Sequence, residues 1–207
     1  RYHNIMFALV ESGSITKYFS GNKGVTINNI QHPKSIFTLW TEAERNAIGV
    51  YTVEIDESKK KNGKWYNNTS ISYSFDGSKV TGSYGDAIAK AHADTLFSAQ
   101  DETDGLGTEG EVKQEGLKTQ LIRDIKRQAQ SELNITDWYI TRKSEKDTAI
   151  PSSITTHRDA VRTKQAEMET AITNASDTPA LETLYEYTDQ EDGSVTRPLG
   201  ELPTLED

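Results

Sequence analysis

From Leu117 to Leu133 an apolar residue returns at every fourth position: Leu117, Leu121, Ile125, Ala129 and Leu133, with Ile122 beside them. That spacing fits a turn of 3.6 residues and gathers the apolar side chains on one stripe of an otherwise charged helix. Such a helix has one side to bury, and the sequence supplies a neighbour. Pro151 opens a second helix, with Ser152 or Ser153 as its cap. In it Ile154, Val161, Met168 and Ala175 recur every seven residues, and His157, Gln165 and Ile172 fill the seam. A long helix with so narrow a seam packs on a single neighbour or in an oligomer. Between the two, Thr136 to Ile140 has a β-like composition and reads as a connector. Thr178-Pro179 starts a last short helix running to about Tyr187, with proline at the first position.

The N-terminal half has another rhythm. His3 to Val10 is a β-prone run broken by Glu11-Ser12-Gly13-Ser14 before Ile15 to Phe19 resumes, which reads as a hairpin. Ser20 to Pro33, rich in Asn and Gly, reads as a loop. Thr41 with Glu44 three residues on forms a capping-box pattern, and Gly49 closes the short helix that follows. Alternation then returns in Val50 to Ile55, with Val50, Thr52 and Glu54 facing away from Tyr51, Val53 and Ile55. Asn62-Gly63 and Asp76-Gly77 are hairpin signals, because a type I′ turn needs positive φ at both central residues. They lead into Trp65 to Phe75 and Ser78 to Tyr84, so the expected arrangement is a three-stranded meander.

Between the halves Ala87 to Phe97 is Ala-rich without a clean stripe. Gln100 to Gly116 sets Asp101, Glu102, Asp104, Glu109, Glu111 and Glu115 against Lys113 alone and reads as a linker. The expectation is therefore an α+β chain: an antiparallel β-meander half over residues 1–85, an acidic Gly-rich linker over 86–116, a helical region over 117–187 and an extended tail over 188–207.

Composition narrows the chemistry. The formal net charge of −9 disfavours a general affinity for nucleic acid, which rests on clustered Lys and Arg. The absence of cysteine excludes disulfides and thiolate-bound metals. The first apolar stretch, Ile5 to Val10, is too short for a signal peptide, and no run reaches the ~20 residues that span a bilayer, so the expectation is a chain that folds in the cytoplasm, with no membrane partner. Mean hydropathy is −0.70 at 34% hydrophobic residues, which suits a chain that completes its core against a partner.

No constellation for catalysis emerges. Gly105-Leu106-Gly107-Thr108-Glu109-Gly110 spells the dinucleotide fingerprint, but acidic residues precede it where a buried strand is required, and Glu109 and Glu111 would repel a phosphate. A calcium loop framed from Asp101 fails, since Gly105 falls where a ligand is needed. His3, His32, His92 and His157 show no metal-ligand spacing. Lys59-Lys60-Lys61 with Lys64, Trp65 and Tyr66 is the one basic and aromatic cluster, able to stack sugars or bases or simply to solubilise a turn. No enzyme activity and no cofactor are expected. The residues expected to bind a partner are Ile154, Val161, Met168 and Ile172 on the second helix, with Trp138 and Tyr139.

Two parts of the chain resemble a known group. Ala8 to Tyr18, reading ALVESGSITKY, and His32-Pro33-Lys34-Ser35-Ile36-Phe37-Thr38-Leu39-Trp40-Thr41, continuing through Glu44-Arg45 to Gly49-Val50-Tyr51, resemble the N-terminal segment of small phage tail-region proteins. Thr136-Asp137-Trp138-Tyr139, followed by Ile150-Pro151 and by Arg158-Asp159-Ala160-Val161-Arg162, is similar to proteins of the bacteriophage tail assembly chaperone or tail-fibre-associated family. The resemblance covers the two ends of the chain and brings no catalytic residues. It implies phage tail or tail-fibre proteins as partners, and a place in the tail region of the virion, with the host cytoplasm as the site of assembly. A transient assembly chaperone and a glycan-binding module are the alternatives.

Overall fold

The computed structural model describes residues 6–205, so the His3 to Ile5 portion of the first expected strand lies outside the described residues. The chain is α+β, with strands in its N-terminal half and helices in its C-terminal half. It divides into two compact units, residues 1–88 and 89–207.

The first unit is built on a five-stranded sheet. Strands β1 (Phe7–Glu11) and β2 (Ser14–Phe19) form the expected hairpin, with Ser12 and Gly13 both at positive φ at its tip. The Ser20 to Pro33 stretch is not a simple loop. β3 (Val25–Ile27) and β4 (Ile30–His32) pair across Asn28 and Asn29, whose φ values of 49° and 63° make the same kind of turn. A 3-10 turn over Lys34–Phe37 leads to α1 (Glu42–Ala47). Thr41 and Glu44 form the reciprocal capping box there, and Gly49 follows at φ 80°.

The expected meander is overturned. β5 (Val50–Asp56) is followed by the short β6 (Tyr66–Asn67), then β7 (Ile71–Phe75) and β8 (Val80–Tyr84). The sheet order is β2-β1-β5-β8-β7, and β5 runs parallel to β8, so the sheet is mixed rather than antiparallel throughout. Asn62-Gly63 makes no hairpin. The Asn62 carbonyl accepts from the amides of Trp65 and Tyr66, and neither Asn62 nor Gly63 has positive φ. Asp76-Gly77 does join β7 to β8, with the turn set one residue on from the Asp-Gly reading. Gly77 and Ser78 form the tip, and only Gly77 has positive φ, at 99°.

Alternation along β1 and β5 gives this sheet two apolar faces. Phe7, Leu9 and Val50 pack with Val25, Ile27, Ile36 and Phe37, while Ala8, Val53 and Val80 pack with Tyr51, Tyr73 and Phe75. The rings of Tyr18 on β2 and Tyr73 on β7 lie 5.0 Å apart, so the two outer strands of the sheet approach each other.

The residues read as a linker are structured. β9 (Ile88–Ala89) lies at the division of the units. β10 (Thr95–Leu96) and β11 (Val112–Gln114) pair, and α2 (Ala99–Thr103) between them is capped by Ser98 and Asp101. This segment also closes the start of α3 (Leu117–Asn134). The Asp94 carboxylate accepts from the Gly116 amide and the Thr119 hydroxyl, both at 2.7 Å, and the carbonyls of Ala91 and His92 accept from the amides of Leu117 and Lys118. Three backbone N–H groups at the helix start and one side-chain hydroxyl are thereby satisfied. A Cβ on Gly116 would come within 2.3 Å of the Ala93 backbone, so only glycine fits this crossing.

The period-four stripe behaves as expected: Leu117, Leu121, Ile125 and Ala129 are buried on α3, which packs on α5 (Ser152–Asn174). Helix α5 begins after Pro151 without a side-chain cap, so neither Ser152 nor Ser153 caps it. The connector is not β-like. Residues Asp137–Lys146 form helix α4, because their apolar side chains do not alternate towards a core. Helix α6 (Thr178–Tyr185) starts on Asp177, with proline in its first turn. The tail is not simply extended: β12 (Thr188–Asp189) pairs with β13 (Val195–Thr196), and Leu199 beyond them is buried.

Candidate functional site

The motifs that suggested small-molecule chemistry come apart in the structure. Gly105 to Gly110 follows the C-terminus of α2 and precedes β11, with no strand before it and no helix after it to receive a pyrophosphate. Among the described residues no group of three His, Asp or Glu side chains is placed to hold a metal ion, and no helix is long and apolar enough to cross a membrane. Trp65 and Tyr66 are 3% and 5% exposed, with the ammonium groups of Lys64 and Lys61 each 4.4 Å from the ring centre. Covered rings cannot stack on a sugar or a base, which removes the observation behind a glycan site.

The expected partner-binding seam also changes character. Ile154, Val161, Met168 and Ile172 are all buried, Val161 and Ile172 completely. The reason is geometric: the seam of α5 faces the stripe of α3, so one helix covers the other. These four residues are internal core of the second unit and present nothing to a partner. Burial of each contributes about 1.5–3 kcal/mol to the stability of this unit.

Trp138 and Tyr139 remain. They lie in the first turn of α4, a helix of ten residues that contributes no buried residue. Around them three large apolar side chains are open to solvent: Ile135 at 55%, Trp138 at 51% and Ile140 at 43% exposure. The Trp138 and Tyr139 rings have centres 3.8 Å apart, and the guanidinium of Arg142 lies 4.7 Å from the Trp138 ring and 5.2 Å from that of Tyr139. Arg142 forms no ion pair with a carboxylate among the described residues, and its Nε is buried without a hydrogen-bond partner.

What holds this corner in place is Arg158, a residue that reasoning from apolar periodicity passes over. It is 8% exposed, and its Nη1 donates to the Leu133 carbonyl at 2.8 Å, the Thr136 hydroxyl at 2.7 Å and the Asp137 carboxylate at 2.8 Å. Thr136 is itself fully buried and donates to Leu133. One arginine of α5 thus ties down the end of α3 and the beginning of α4. Asp137 also suits the positive end of the α4 dipole, as Lys143 and Lys146 suit the negative end. The fold brings Thr136 and Asp137 into contact with Arg158, more than twenty residues further along the chain, a separation at which local sequence patterns carry no signal.

This corner presents an aromatic face, a cation and aliphatic edges, the chemistry of a binding surface. Comparison of the chain with protein-family models, with curated proteins and with solved structures finds no match in any of the three.

Proposed function

We propose that this chain is a non-enzymatic structural protein of a bacteriophage tail or tail fibre, carried in the virion and attached through protein–protein contacts. The setting is supported by the resemblance to tail-region proteins of Ala8 to Tyr18 and His32 to Thr41 with Glu44-Arg45 and Gly49 to Tyr51, and of Thr136 to Tyr139 with Ile150-Pro151 and Arg158 to Arg162. The mode of action is supported by one observation above the others: three exposed apolar side chains and a stacked arginine at a corner that a buried arginine holds rigid. Large apolar groups gathered on an otherwise polar surface mark an interaction site, and Trp and Arg are the residues that most often dominate one. Assembly takes place in the host cytoplasm, among tail or tail-fibre proteins.

Quantitative mass spectrometry of purified virions tests this. A copy number comparable to that of the fibre or baseplate subunits is expected. Absence from finished particles, with a complex between this chain and a fibre protein in infected cells, would replace the virion subunit by an assembly chaperone. Absence of both would overturn the tail reading.

A further inference from the structure

We infer that copies of this chain associate head to tail, the leucine-tipped acidic hairpin of one copy seating against the Trp138 corner of the next. The inference rests on the corner being an interaction surface and adds the identity of its occupant.

The corner lacks a particular chemistry. Its cation, Arg142, lies over two rings and forms an ion pair with no carboxylate among the described residues, so its charge is not neutralised by a side chain there. Ile135 and Trp138 beside it are more than half exposed. The complement is a segment with an aliphatic side chain flanked by acceptors of negative charge.

The same unit carries such a segment. Strands β10 and β11 are extended by hydrogen bonds from Phe97 to Glu111 and from Gly110 to Phe97, which fix the base of the excursion over residues 98–109. At its tip the Leu106 amide donates to the Asp101 carbonyl, and the Leu106 side chain is 62% exposed between Asp104 and Glu109. Asp101 is tied to Lys113 and Glu115 to Arg123, whereas Asp104, Glu109 and Glu111 form no ion pair among the described residues. Leu96 and Val112 on the paired strands are exposed as well.

Within one copy neither surface covers the other, because Leu106 and Trp138 are both solvent-open in the same unit. Both are satisfied when the hairpin of one copy meets the corner of a second. In the head-to-tail arrangement one such contact forms at each junction, the terminal copies keep one free hairpin and one free corner, and the contact propagates into a ring or a chain.

The test is sedimentation velocity of the full chain over a wide concentration range, with circular dichroism to verify folding. Concentration-dependent association beyond a dimer is expected. Trp138→Ala, Leu106→Ser, Arg142→Glu, and Asp104→Lys combined with Glu109→Lys should each weaken it about tenfold or more, a change equal to about 1.4 kcal/mol. The decisive arm mixes the Arg142→Glu chain with the Asp104→Lys/Glu109→Lys chain. Every junction between unlike chains is then complementary, the acidic hairpin against the Arg142 corner or the basic hairpin against the Glu-bearing corner, so the mixture should regain association beyond a dimer that neither variant shows alone. A wild-type chain that stays monomeric overturns the inference, as does association that the variants on both surfaces leave unchanged. If Trp138→Ala fails to fold, Leu106→Ser and the mixing arm still decide. A monomeric chain found in virions overturns the copy-to-copy contact and leaves the tail reading standing. Variant-sensitive association of a chain absent from phage particles does the reverse.

Discussion

Arg158 Nη1 and Asp137 Oδ1 stand 2.8 Å apart and couple the second turn of α5 to the first residue of α4, with the arginine side chain 10% exposed and the aspartate 48%. Replacing Arg158 by Met should destabilise the second unit by about 2–3 kcal/mol, since hydrogen bonds to a charged group contribute about 1.5–3 kcal/mol each and neighbouring acceptors compensate in part. Asp137→Asn keeps an acceptor and should cost about 1 kcal/mol. Urea denaturation monitored by tryptophan fluorescence checks both, because Trp138 sits on the element that is released.

The α5 seam and the α4 corner should separate cleanly under mutation. Met168→Ala removes a side chain that is 1% exposed and should cost about 2–5 kcal/mol. Trp138→Ala removes a half-exposed ring and should shift stability by about 0.5 kcal/mol or less, while its effect falls on association. Thermal denaturation beside sedimentation tells the two apart. Equal stability losses would place Trp138 in the core.

Two glycines test the turns. Neither Gly63 nor Gly77 has any atom within 4 Å of an added Cβ, so backbone conformation alone decides the outcome. Gly77→Val forces a β-branched residue to φ 99° and should cost about 1–2 kcal/mol. Gly63→Val meets no such demand and should stay within about 0.5 kcal/mol. A large loss at Gly63 would restore the hairpin that the structure lacks.

The Asp76 carboxylate accepts from the amides of Ser78 and Lys79 and from the Ser78 hydroxyl, and these bonds hold its pKa down to about 2 from the ordinary 3.8. The folded value lies below the unfolded one, so the contribution is complete above pH 3.8 and is lost as the pH falls through about 2. A carboxyl NMR titration should place the Asp76 midpoint near 2, and Asp76→Ala should remove that part of the acid sensitivity of the β7–β8 turn. A midpoint at the ordinary value would mean the turn is open in solution.

Asp94 makes the case for a non-local cap. It lies twenty-two residues before Gly116, and its carboxyl is held below the usual range chiefly by the Gly116 amide and then by the Thr119 hydroxyl. Asp94→Ala should lower the melting temperature of the second unit more than Asp94→Asn, which keeps one acceptor for the same donors. Equal effects would assign the loss to packing alone.

These cases also explain what the sequence made legible. The stripe of α3 and the Thr41–Glu44 cap are local patterns, and nothing distant overrides them. Asn28-Asn29 escaped notice because strands of three residues are too short to show alternation. Asn62-Gly63 misled because a turn signal says nothing of which strands it joins, and here burial of Trp65 and Tyr66 takes precedence. The 86–116 stretch read as a linker because its strands are short and its anchor, Asp94, acts across a long separation. The α5 seam has the same period whether α3 or another protein covers it, so only the fold could assign Met168 and Ile172 to the interior. Trp138 and Ile140 gave α4 a β-like composition because they are apolar without serving the core.

The parallel register of β5 and β8 sets an order of events for the folding chain. Val53 meets Val80 only after the intervening residues have been brought round, whereas Phe75 and Val80 meet across a tight turn. Closing the longer loop costs entropy that local pairing does not, so the β7–β8 ribbon forms early and docks on β5 late. Lengthening the stretch between β5 and β6 should then slow refolding only slightly, because closure entropy grows with the logarithm of loop length. Severing the ribbon at Gly77 should instead leave β5 with an open flank on which other chains can pair, and aggregation during refolding would be the visible sign.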